Sequence, residues 1–300
     1  MICETPPQYS VLRADSHWVI AFKAMASPCE VLVRCVKASE AEELASLAFA
    51  ETTRIEQKFS RYRDDNIIYK INHSGGSTVE LDDETSQLLG YAGECHQLSE
   101  GLFDVTSGVL RRAWKFDGQE IHPDQELIQS LLDQVGWQKV QLSDAGIRLL
   151  PGMEIDLGGI GKEYAVDRLA QLLFRSSKLP IMVNFGGDIR AISPETVPIP
   201  WHVGIENPEQ SGDSIGLIDL GHGAVATSGV SYRHCFVNER RLGHILDPRT
   251  GWPVENSPRC VTVLGDFCME AGLFTTMAML QGSDAEAFLD AQGLKYHCIR

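Results

Sequence analysis

The chain has 300 residues, which is enough for one large domain or two smaller ones and ample for a full hydrophobic core. Hydrophobic residues make up 43% and charged residues 22%, the ordinary proportions of a globular protein. The formal net charge of −15 argues against nucleic acid or an anionic membrane as a partner, because an acidic surface repels both. The charge is compatible with a cationic partner, with a site that uses a divalent metal, or with nothing more than solubility.

The cysteines and the N-terminus indicate the compartment. None of the eight cysteines forms a Cys-x-x-Cys pair, and most lie in apolar stretches, which favours buried free thiols over a disulfide framework or a zinc site. The N-terminus contains Glu4, Pro6 and Arg13 without an apolar run, so no signal peptide is predicted. No stretch is apolar over the length needed to span a membrane. We therefore expect a cytoplasmic protein.

The first half of the chain is expected to be mainly helical. Residues 1–16 are predicted to be a loose N-terminal arm that precedes one domain over residues 17–300. Two β-like runs at 18–22 and 29–34 predict a hairpin. Helices are predicted from Ser39 to about Phe59, from Ile67 to Asn72, and from Asp82 or Asp83 to Leu98, so that residues 39–115 form a helical lobe within the domain.

The second half is expected to be richer in strands. A helix near residues 124–135 and two short strands, around 140–142 and 147–150, are followed by a helix after residue 161. Strands are then predicted at 180–185, 202–206, 215–220 and 223–229. A helix at about 269–280, another that ends at Gly293, and a terminal strand at 294–299 complete the chain.

The chain is organised around residues 155–162, with the sequence Ile-Asp-Leu-Gly-Gly-Ile-Gly-Lys. These residues predict the end of a buried strand, a glycine turn and the start of a helix, where free N–H groups favour an anion. Asp156 and Glu163 exclude a P-loop, and the glycine spacing excludes the Rossmann fingerprint. Lys162 lies in the first helical turn, against the helix dipole, which suggests a counter-anion such as phosphate or the carboxylate of Asp156. A tight turn with a surface lysine is the alternative interpretation.

Three further stretches are candidates for a site. Residues 99–108 read as a binding loop or as a helix C-cap followed by a turn. Gly186-Gly187-Asp188 places a second Gly-Gly-Asp cluster at a strand end. His244 precedes a rigid turn at residues 247–251, where it is suited to proton transfer, although a lone histidine is more often structural.

Taken together, the chain resembles the ApbE family of FAD:protein FMN transferases, and the resemblance covers nearly its whole length. Each of the motifs is weak alone, but all occur in the order of the family. They are Met25-Ala26-Ser27-Pro28-Cys29-Glu30-Val31, Phe59-Ser60-Arg61-Tyr62-Arg63, Ser99-Glu100-Gly101-Leu102-Phe103-Asp104, Asp156-Leu157-Gly158-Gly159-Ile160-Gly161-Lys162, Asn184-Phe185-Gly186-Gly187-Asp188, Ala226-Thr227-Ser228-Gly229 and His244-Ile245-Leu246-Asp247-Pro248-Arg249-Thr250-Gly251.

The resemblance implies a fold and an activity. The fold would be α+β, one compact unit built on an antiparallel β-sheet core with surrounding helices, an ApbE-like and T-fold-like architecture. The activity would split FAD at its pyrophosphate with the assistance of Mg²⁺. FMN would be left esterified through phosphate to a threonine hydroxyl of a target protein, and AMP would be released. The partners would be FAD and that target protein.

The resemblance also implies roles for individual residues. His244 would be the base that takes the threonine proton, and Lys162 would supply positive charge. The residues expected to line the FAD site are Met25, Tyr62, Leu102, Phe103, Asp104, Asp156, Lys162 and Ile245. The backbone carbonyl of Gly159 and the hydroxyl of Thr276 would bind the metal.

Two positions depart from the family pattern. Gly272 stands where the family places a metal-binding Asp, four residues before Thr276, and Glu270 is about 200° round the helix from that position. Glu163 stands where the family usually has Gly. Three hypotheses follow from Gly272: an active flavin transferase, an FAD-binding or FAD-hydrolysing relative that has lost protein transfer, and a non-enzymatic flavin carrier or assembly partner.

Overall fold

The computed structural model describes residues 8–35, 37–195, 199–207, 213–230 and 233–300. In these ranges the chain forms seven α-helices: α1 (Ala38–Phe59), α2 (Ile67–Asn72), α3 (Asp83–Leu98), α4 (Gln125–Leu132), α5 (Gly161–Ser177), α6 (Cys268–Leu280) and α7 (Ala285–Ala291). A 3-10 helix spans Val105–Arg112. The same ranges contain the strands β1 (Tyr9–Arg13), β2 (Trp18–Ala24), β3 (Ser27–Val33), β4 (Gln141–Ser143), β5 (Gly146–Arg148), β6 (Ile181–Phe185), β7 (Asp188–Ile192), β8 (Trp201–Glu206), β9 (Ser214–Leu220), β10 (Gly223–Gly229), β11 (His234–Val237), β12 (Arg240–Gly243), β13 (Cys260–Gly265) and β14 (Lys295–Ile299).

The chain divides into two compact units. Unit 1 consists of Met1–Gln57, Lys162–Ala226 and Leu264–Ala271, and unit 2 consists of Lys58–Gly161, Thr227–Val263 and Gly272–Arg300. The sequence analysis expected one compact unit with a helical lobe at 39–115, and the division instead assigns most of α1 to one unit and α2 and α3 to the other. The chain crosses between units inside continuous helices and strands, so no linker composition marks the boundary.

Unit 1 is built on an antiparallel sheet. Its strands follow the order β1-β2-β3-β6-β7-β10, and every neighbouring pair runs antiparallel. All five residues of β7 are buried, and four of the five in β6 are. The apolar face of α5 is also buried, with Ala165, Val166 and Leu169 at 0% exposure. The predicted α+β class with an antiparallel sheet and helices is confirmed.

The N-terminal segment departs from the prediction of a loose arm. Residues 9–13 form β1, which pairs along its whole length with β2, from Tyr9 opposite Phe22 to Arg13 opposite Trp18. The ring of Tyr9 lies 5.9 Å from that of Phe49. Leu12 is 64% exposed, so the segment lacks the apolar alternation that would have predicted a strand. The rest of the predicted arm, residues 1–7, lies outside the described residues.

Unit 2 combines short helices with several small β elements. The end of β10 and the strands β13 and β14 lie side by side in that order. The 3-10 helix and α4 pack through Val109, Leu110 and Leu131. The β11–β12 hairpin was not predicted, because its turn uses Asn238 and Glu239 at φ values of 51° and 65° rather than glycine. No helix in the described ranges combines the length and apolarity needed to cross a bilayer.

Candidate functional site

The glycine turn that precedes α5 is held by hydrogen bonds from neighbouring elements. The predicted strand end at residues 155–157 is wrong, because the backbone there bonds to a side chain and to the 3-10 helix rather than to a strand. The side chain of Asn72 exchanges two hydrogen bonds with the backbone of Ile155, at 2.7 and 3.0 Å. The Asp156 N–H donates to the Val105 carbonyl at 2.8 Å, and the Gly158 N–H donates to Asp156 Oδ1 at 2.9 Å. The helix α5 then begins at Gly161, as the sequence predicts.

Arg61 joins two of the predicted flavin residues. Its guanidinium donates to Asp156 Oδ2 from Nη1 and to the Tyr62 hydroxyl from Nη2, the latter at 2.7 Å. Burial alone would lower the pKa of Arg61, but the charge of Asp156 and the interactions with Tyr62 together raise it. The Tyr62 side chain is 79% exposed, so its ring is available to stack on a planar ligand. Sequence reasoning named Tyr62 and Asp156 but gave Arg61 no role of its own.

The loop at residues 99–108 combines both sequence interpretations. It begins as a helix C-cap, in which the Gly101 N–H donates to the His96 carbonyl at 2.8 Å and Ser99 Oγ accepts from the Phe103 N–H at 2.8 Å. Leu102 and Phe103 are then 8% and 5% exposed. A Cβ atom at Gly159 would lie 3.1 Å from the Phe103 ring, so the glycine lets the ring and the turn approach closely. Leu102, Phe103 and Gly159 therefore lie in one packed region of unit 2.

The carboxylate of Asp104 is bonded inside the protein. Its Oδ1 accepts from the N–H and the hydroxyl of Thr106 at 2.8 and 2.6 Å, which caps the 3-10 helix. Its Oδ2 accepts from the Trp137 N–H at 2.9 Å and lies 3.5 Å from His96 Nε2. Asp104 is 8% exposed, so it organises the loop from within.

His244 lies at the edge of an aromatic cluster in unit 2. Its ring is 6.3 Å from that of Phe116, edge to face, and Phe116 stacks on Trp114 at 6.0 Å. Burial, followed by the charge of Arg233, lowers the pKa of His244. Its Nδ1 is buried and has no hydrogen-bond partner among the described residues. The imidazole is therefore neutral at pH 7, the form that can accept a proton.

The turn after His244 is as rigid as its sequence predicts. The Gly251 N–H donates to the Asp247 carbonyl at 2.8 Å, and Asp247 accepts from Arg249 Nη2 at 2.7 Å. Trp114 Nε1 donates to the Gly251 carbonyl at 2.8 Å, which joins the turn to the aromatic cluster. The carbonyl of Ile245, another predicted flavin residue, accepts from the Val254 N–H at 3.1 Å and so belongs to the same fixed hairpin.

In unit 1, Lys162 is paired with Asp188. Its Nζ lies 2.6 Å from Asp188 Oδ2, and the Asp188 side chain is 3% exposed. Burial by itself lowers the pKa of Lys162, but the charges of Asp188 and Glu163 and the hydrogen bond to Asp188 together raise it, so the ammonium stays charged. Gly186 and Gly187 form the β6–β7 turn at φ values of 60° and 97°, and a Cβ atom at Gly186 would lie 4.0 Å from Lys162 Nζ.

The sequence suggested phosphate or the Asp156 carboxylate as the counter-anion of Lys162. Asp156 instead accepts from Arg61 and from the Gly158 N–H. The carboxylate beside Lys162 is Asp188.

Met25 occupies a strained turn in unit 1. Met25 and Ala26 form the two-residue β2–β3 turn at φ values of 52° and 56°, the type I′ geometry that usually takes glycine or asparagine. The Met25 N–H donates to Glu56 Oε1 at 2.7 Å. A surface cavity of about 400 Å³ next to the turn is lined by Lys23, Ala24, Ala26, Ser27, Pro28 and Glu56. Sequence reasoning missed Glu56, which no local motif marks.

The predicted metal ligands do not fit a magnesium ion held by the protein alone. Thr276 Oγ1 lies 3.5 Å from Ser228 Oγ, and Thr275 Oγ1 donates to the Gly272 carbonyl at 2.9 Å. These hydroxyl and carbonyl oxygens carry no charge, whereas protein Mg²⁺ sites normally use one or two carboxylates. The described part of the chain contains no group of three or more His, Cys, Asp or Glu side chains placed to hold a metal.

The comparisons with known proteins decide the family. The ApbE family profile matches residues 25–298 of the chain. The chain belongs to the ApbE family. A curated relative from Salmonella typhimurium, an FAD:protein FMN transferase, is 28% identical over 100% of this chain and 88% of its own length. The FAD:protein FMN transferase of Vibrio cholerae is 31% identical over 77% of this chain and 71% of its own.

Solved ApbE structures share the fold. The crystal structure of the ApbE protein from Thermotoga maritima superposes with a TM-score of 0.84 at 30% identity, covering 97% of this chain and 94% of that one. The flavin transferase ApbE from Vibrio cholerae gives a TM-score of 0.80 at 25% identity, covering 97% of this chain and 93% of that one. These matches support the ApbE-like architecture that the sequence predicts.

Proposed function

We propose that the protein is an FAD:protein FMN transferase. The observation that carries this proposal is the extent of the family match, which runs over residues 25–298 and includes all the candidate residues. The reaction transfers FMN through its phosphate to a threonine hydroxyl of a target protein and releases AMP. The P–O bond of the FAD pyrophosphate breaks as the new phosphoester bond forms.

His244 is the base in this proposal. The attacking threonine loses its proton as its oxygen bonds to phosphorus, and a neutral imidazole can take that proton. The lowered pKa of His244 supports the role, because the group is unprotonated at pH 7.

Lys162 and the glycine turns supply positive charge for the diphosphate, since phosphoryl transfer depends mainly on positioning and charge neutralisation. Tyr62 and Ile245 offer aromatic and apolar surface to the flavin and adenine rings, and Leu102 and Phe103, which are largely buried, expose only a small part of theirs. Met25 and Asp156 complete the predicted lining.

The dependence on Mg²⁺ and the threonine acceptor follow from the family resemblance. Gly272 favours a second candidate function, an FAD-binding or FAD-hydrolysing protein without transfer, because it removes the carboxylate expected of a metal-assisted transferase. The cytoplasmic location also stays a prediction, which cell fractionation would test.

The test mixes the purified chain with FAD and a target protein that bears the family's threonine acceptor, in parallel with Mg²⁺ and with EDTA. Covalent flavin on the target, detected by in-gel fluorescence and intact mass, together with released AMP, supports transfer. AMP and free FMN without labelled target support hydrolysis, and tight FAD binding without products supports a carrier. Failure to bind FAD in either buffer would overturn all three.

A further inference from the structure

Three carboxylates and two cations lie together in unit 1, all of them buried or partly buried. Lys162, Glu163 and Asp167 lie in the first two turns of α5, and Asp188 and Arg190 lie on β7. The side chains of Asp188, Arg190 and Asp167 are 3%, 7% and 14% exposed. The Lys162 side chain is more exposed than these, at 29%. If all five groups were ionised, the cluster would hold one more negative than positive charge in a mostly buried place.

Each cation already has its own carboxylate. Lys162 Nζ lies 2.6 Å from Asp188 Oδ2, and Arg190 Nε lies 3.7 Å from Asp167 Oδ1. Asp167 is further satisfied by the N–H groups of Cys268 and Met269, both at 2.9 Å.

Glu163 is the carboxylate left over. Its Oε2 is buried and has no hydrogen-bond partner among the described residues. A side-chain hydrogen bond joins Glu163 to Asp188. Two carboxylates can share such a bond only if one of them carries a proton, since an ionised carboxylate has no hydrogen to donate.

The proton belongs on Glu163. A buried carboxylate without a cation of its own is costly in the ionised form and takes up a proton instead. Burial, followed by the negative charge of Asp188, raises the pKa of Glu163 to about 8, while the charge of Lys162 opposes the rise.

We propose that Glu163 is a positioning residue for Lys162: it holds a proton at neutral pH, donates its hydrogen bond to Asp188, and keeps the Lys162–Asp188 pair electrically neutral toward an incoming diphosphate. The inference rests on the proposed function, because the diphosphate is that of FAD. It gives a physical role to a residue that stands where the family usually has glycine.

The consequence is a link between FAD binding and one proton. When Glu163 loses its proton to solvent, a negative charge appears beside Lys162. Glu163 must then take up a proton again before the site binds FAD well. FAD affinity therefore falls by up to about tenfold per pH unit above about pH 8. The other charged or titratable groups that face the cluster from α5, β7 and residues 264–271 are Lys162, Asp167, Asp188, Arg190, Asp266, Cys268 and Glu270.

The test compares FAD affinity of the wild type and Glu163→Gln between about pH 7 and about pH 9. Glutamine mimics the protonated acid and can donate to Asp188, so the variant is expected to bind FAD at pH 7 and to keep its affinity at pH 9. Calorimetry at pH 9 in two buffers of different ionisation enthalpy should detect uptake of close to one proton by the wild type and none by the variant. The same fall in affinity in both proteins would overturn the proposal.

Two further variants and one spectroscopic measurement complete the design. Glu42→Gln, at an exposed position of α1, is the matched control and should keep the wild-type profile. Asp188→Asn removes a charge that raises the pKa of Glu163, so the fall in FAD affinity should begin at lower pH. Infrared difference spectra should detect the protonated Glu163 carboxyl without FAD, and its absence at pH 7 would overturn the proposal even if Glu163→Gln failed to fold. If neither the wild type nor Glu163→Gln binds FAD at pH 7 while the infrared band is present, the proposed function is wrong but Glu163 is still shown to be protonated.

Discussion

At the scale of single residues, the surroundings of His244 in the fold set the protonation state of its imidazole. The Phe116 ring lies edge to face against the imidazole, and burial, followed by the charge of Arg233, lowers the pKa of His244. An exposed histidine would be partly protonated near pH 6.5 and would then be unable to act as a base.

His244→Asn is expected to lower the rate of FMN transfer by about 10²- to 10⁴-fold with little change in FAD affinity. Because the pKa of His244 is lowered, the wild-type rate should stay level as pH falls to about 6.5 and decline only below it. Transfer kinetics from pH 5 to 8 check both points. His202→Asn is the control, since that exposed side chain pairs with Asp219 on the facing strand. An equal loss in both variants would contradict the assignment.

The hydrogen bonds of Asp104 and the partner of Lys162 show what spacing alone does not reveal. The Asp104 carboxylate accepts from Thr106, two residues away, and also from Trp137, 33 residues away in the chain. Its predicted contact with the flavin stays a prediction. For Lys162 the sequence suggested phosphate or Asp156 as the counter-anion, whereas the structure pairs it with Asp188, 26 residues away and brought near by the β6–β7 turn.

At the scale of elements, the β2–β3 hairpin combines a strained turn with a carboxylate that holds it. Left-handed backbone costs a non-glycine residue about 1–2 kcal/mol, and the turn uses two such residues, Met25 and Ala26. The bond from the Met25 N–H to Glu56 offsets part of that strain.

Glu56→Ala is therefore expected to destabilise the protein by about 1–3 kcal/mol and to weaken FAD binding, because the Met25 amide loses a charged acceptor. Ala26→Gly relieves the strain at the neighbouring position and should recover up to about 1 kcal/mol in the double variant. Urea unfolding and FAD titration of the single and double variants measure these effects. A Glu56→Ala protein as stable as the wild type would mean that the bond contributes nothing.

Close packing of the 3-10 helix against the central turn gives a second test at this scale. A methyl group at Gly108 would overlap Asp156 Cβ and crowd its carboxylate. Gly108→Ala should displace Asp156 and lower FAD affinity by roughly 10- to 100-fold, given about 1–3 kcal/mol for overpacking. Gly90→Ala in α3 meets nothing within 4 Å and should be neutral or stabilise the helix by up to about 1 kcal/mol. Equal FAD affinity in the two variants would show that the contact is dispensable.

Elements with strong local signals were predictable, and those fixed by distant partners were not. The hairpin of β2 and β3 and the helix α3 were predicted within a few residues, because apolar alternation and an Asp82 cap mark them. The strand β1 lacks such alternation, and the turn of β11–β12 has no glycine, so both were missed. Their hydrogen-bond partners are β2 and the segment near Glu120. Local sequence patterns do not predict these pairings.

At the scale of the whole molecule, the charges set opposite responses to acid and base. Glu51, Glu154 and Asp247 each pair with arginine, and their pKa values are lowered. A carboxyl whose folded pKa is depressed contributes stability above its unfolded pKa and loses it as pH falls through the folded value. Glu163 has the opposite sign: its contribution is present below its unfolded pKa and is lost as pH rises through about 8.

The free energy of unfolding is therefore expected to fall below about pH 4, where the arginine-paired carboxylates become protonated. Each exposed pair contributes about 1 kcal/mol or less, so the loss should be gradual. Denaturant unfolding at pH 7, 5 and 3, followed by circular dichroism and tryptophan fluorescence, measures it. With two compact units, the two probes need not give one transition. Unchanged stability at pH 3 would contradict the role given to these pairs.

The aromatic cluster beside His244 also gives the protein a built-in optical probe. The indole rings of Trp114 and Trp252 lie 5.1 Å apart at an interplanar angle of 77°, and Trp114 stacks on the phenyl ring that touches the imidazole. An isoalloxazine absorbs where indoles emit, so a flavin that arrived near these rings would quench their light by energy transfer. Stopped-flow emission from the unlabelled protein could then time the arrival of the dinucleotide and the departure of its adenylate half as separate events.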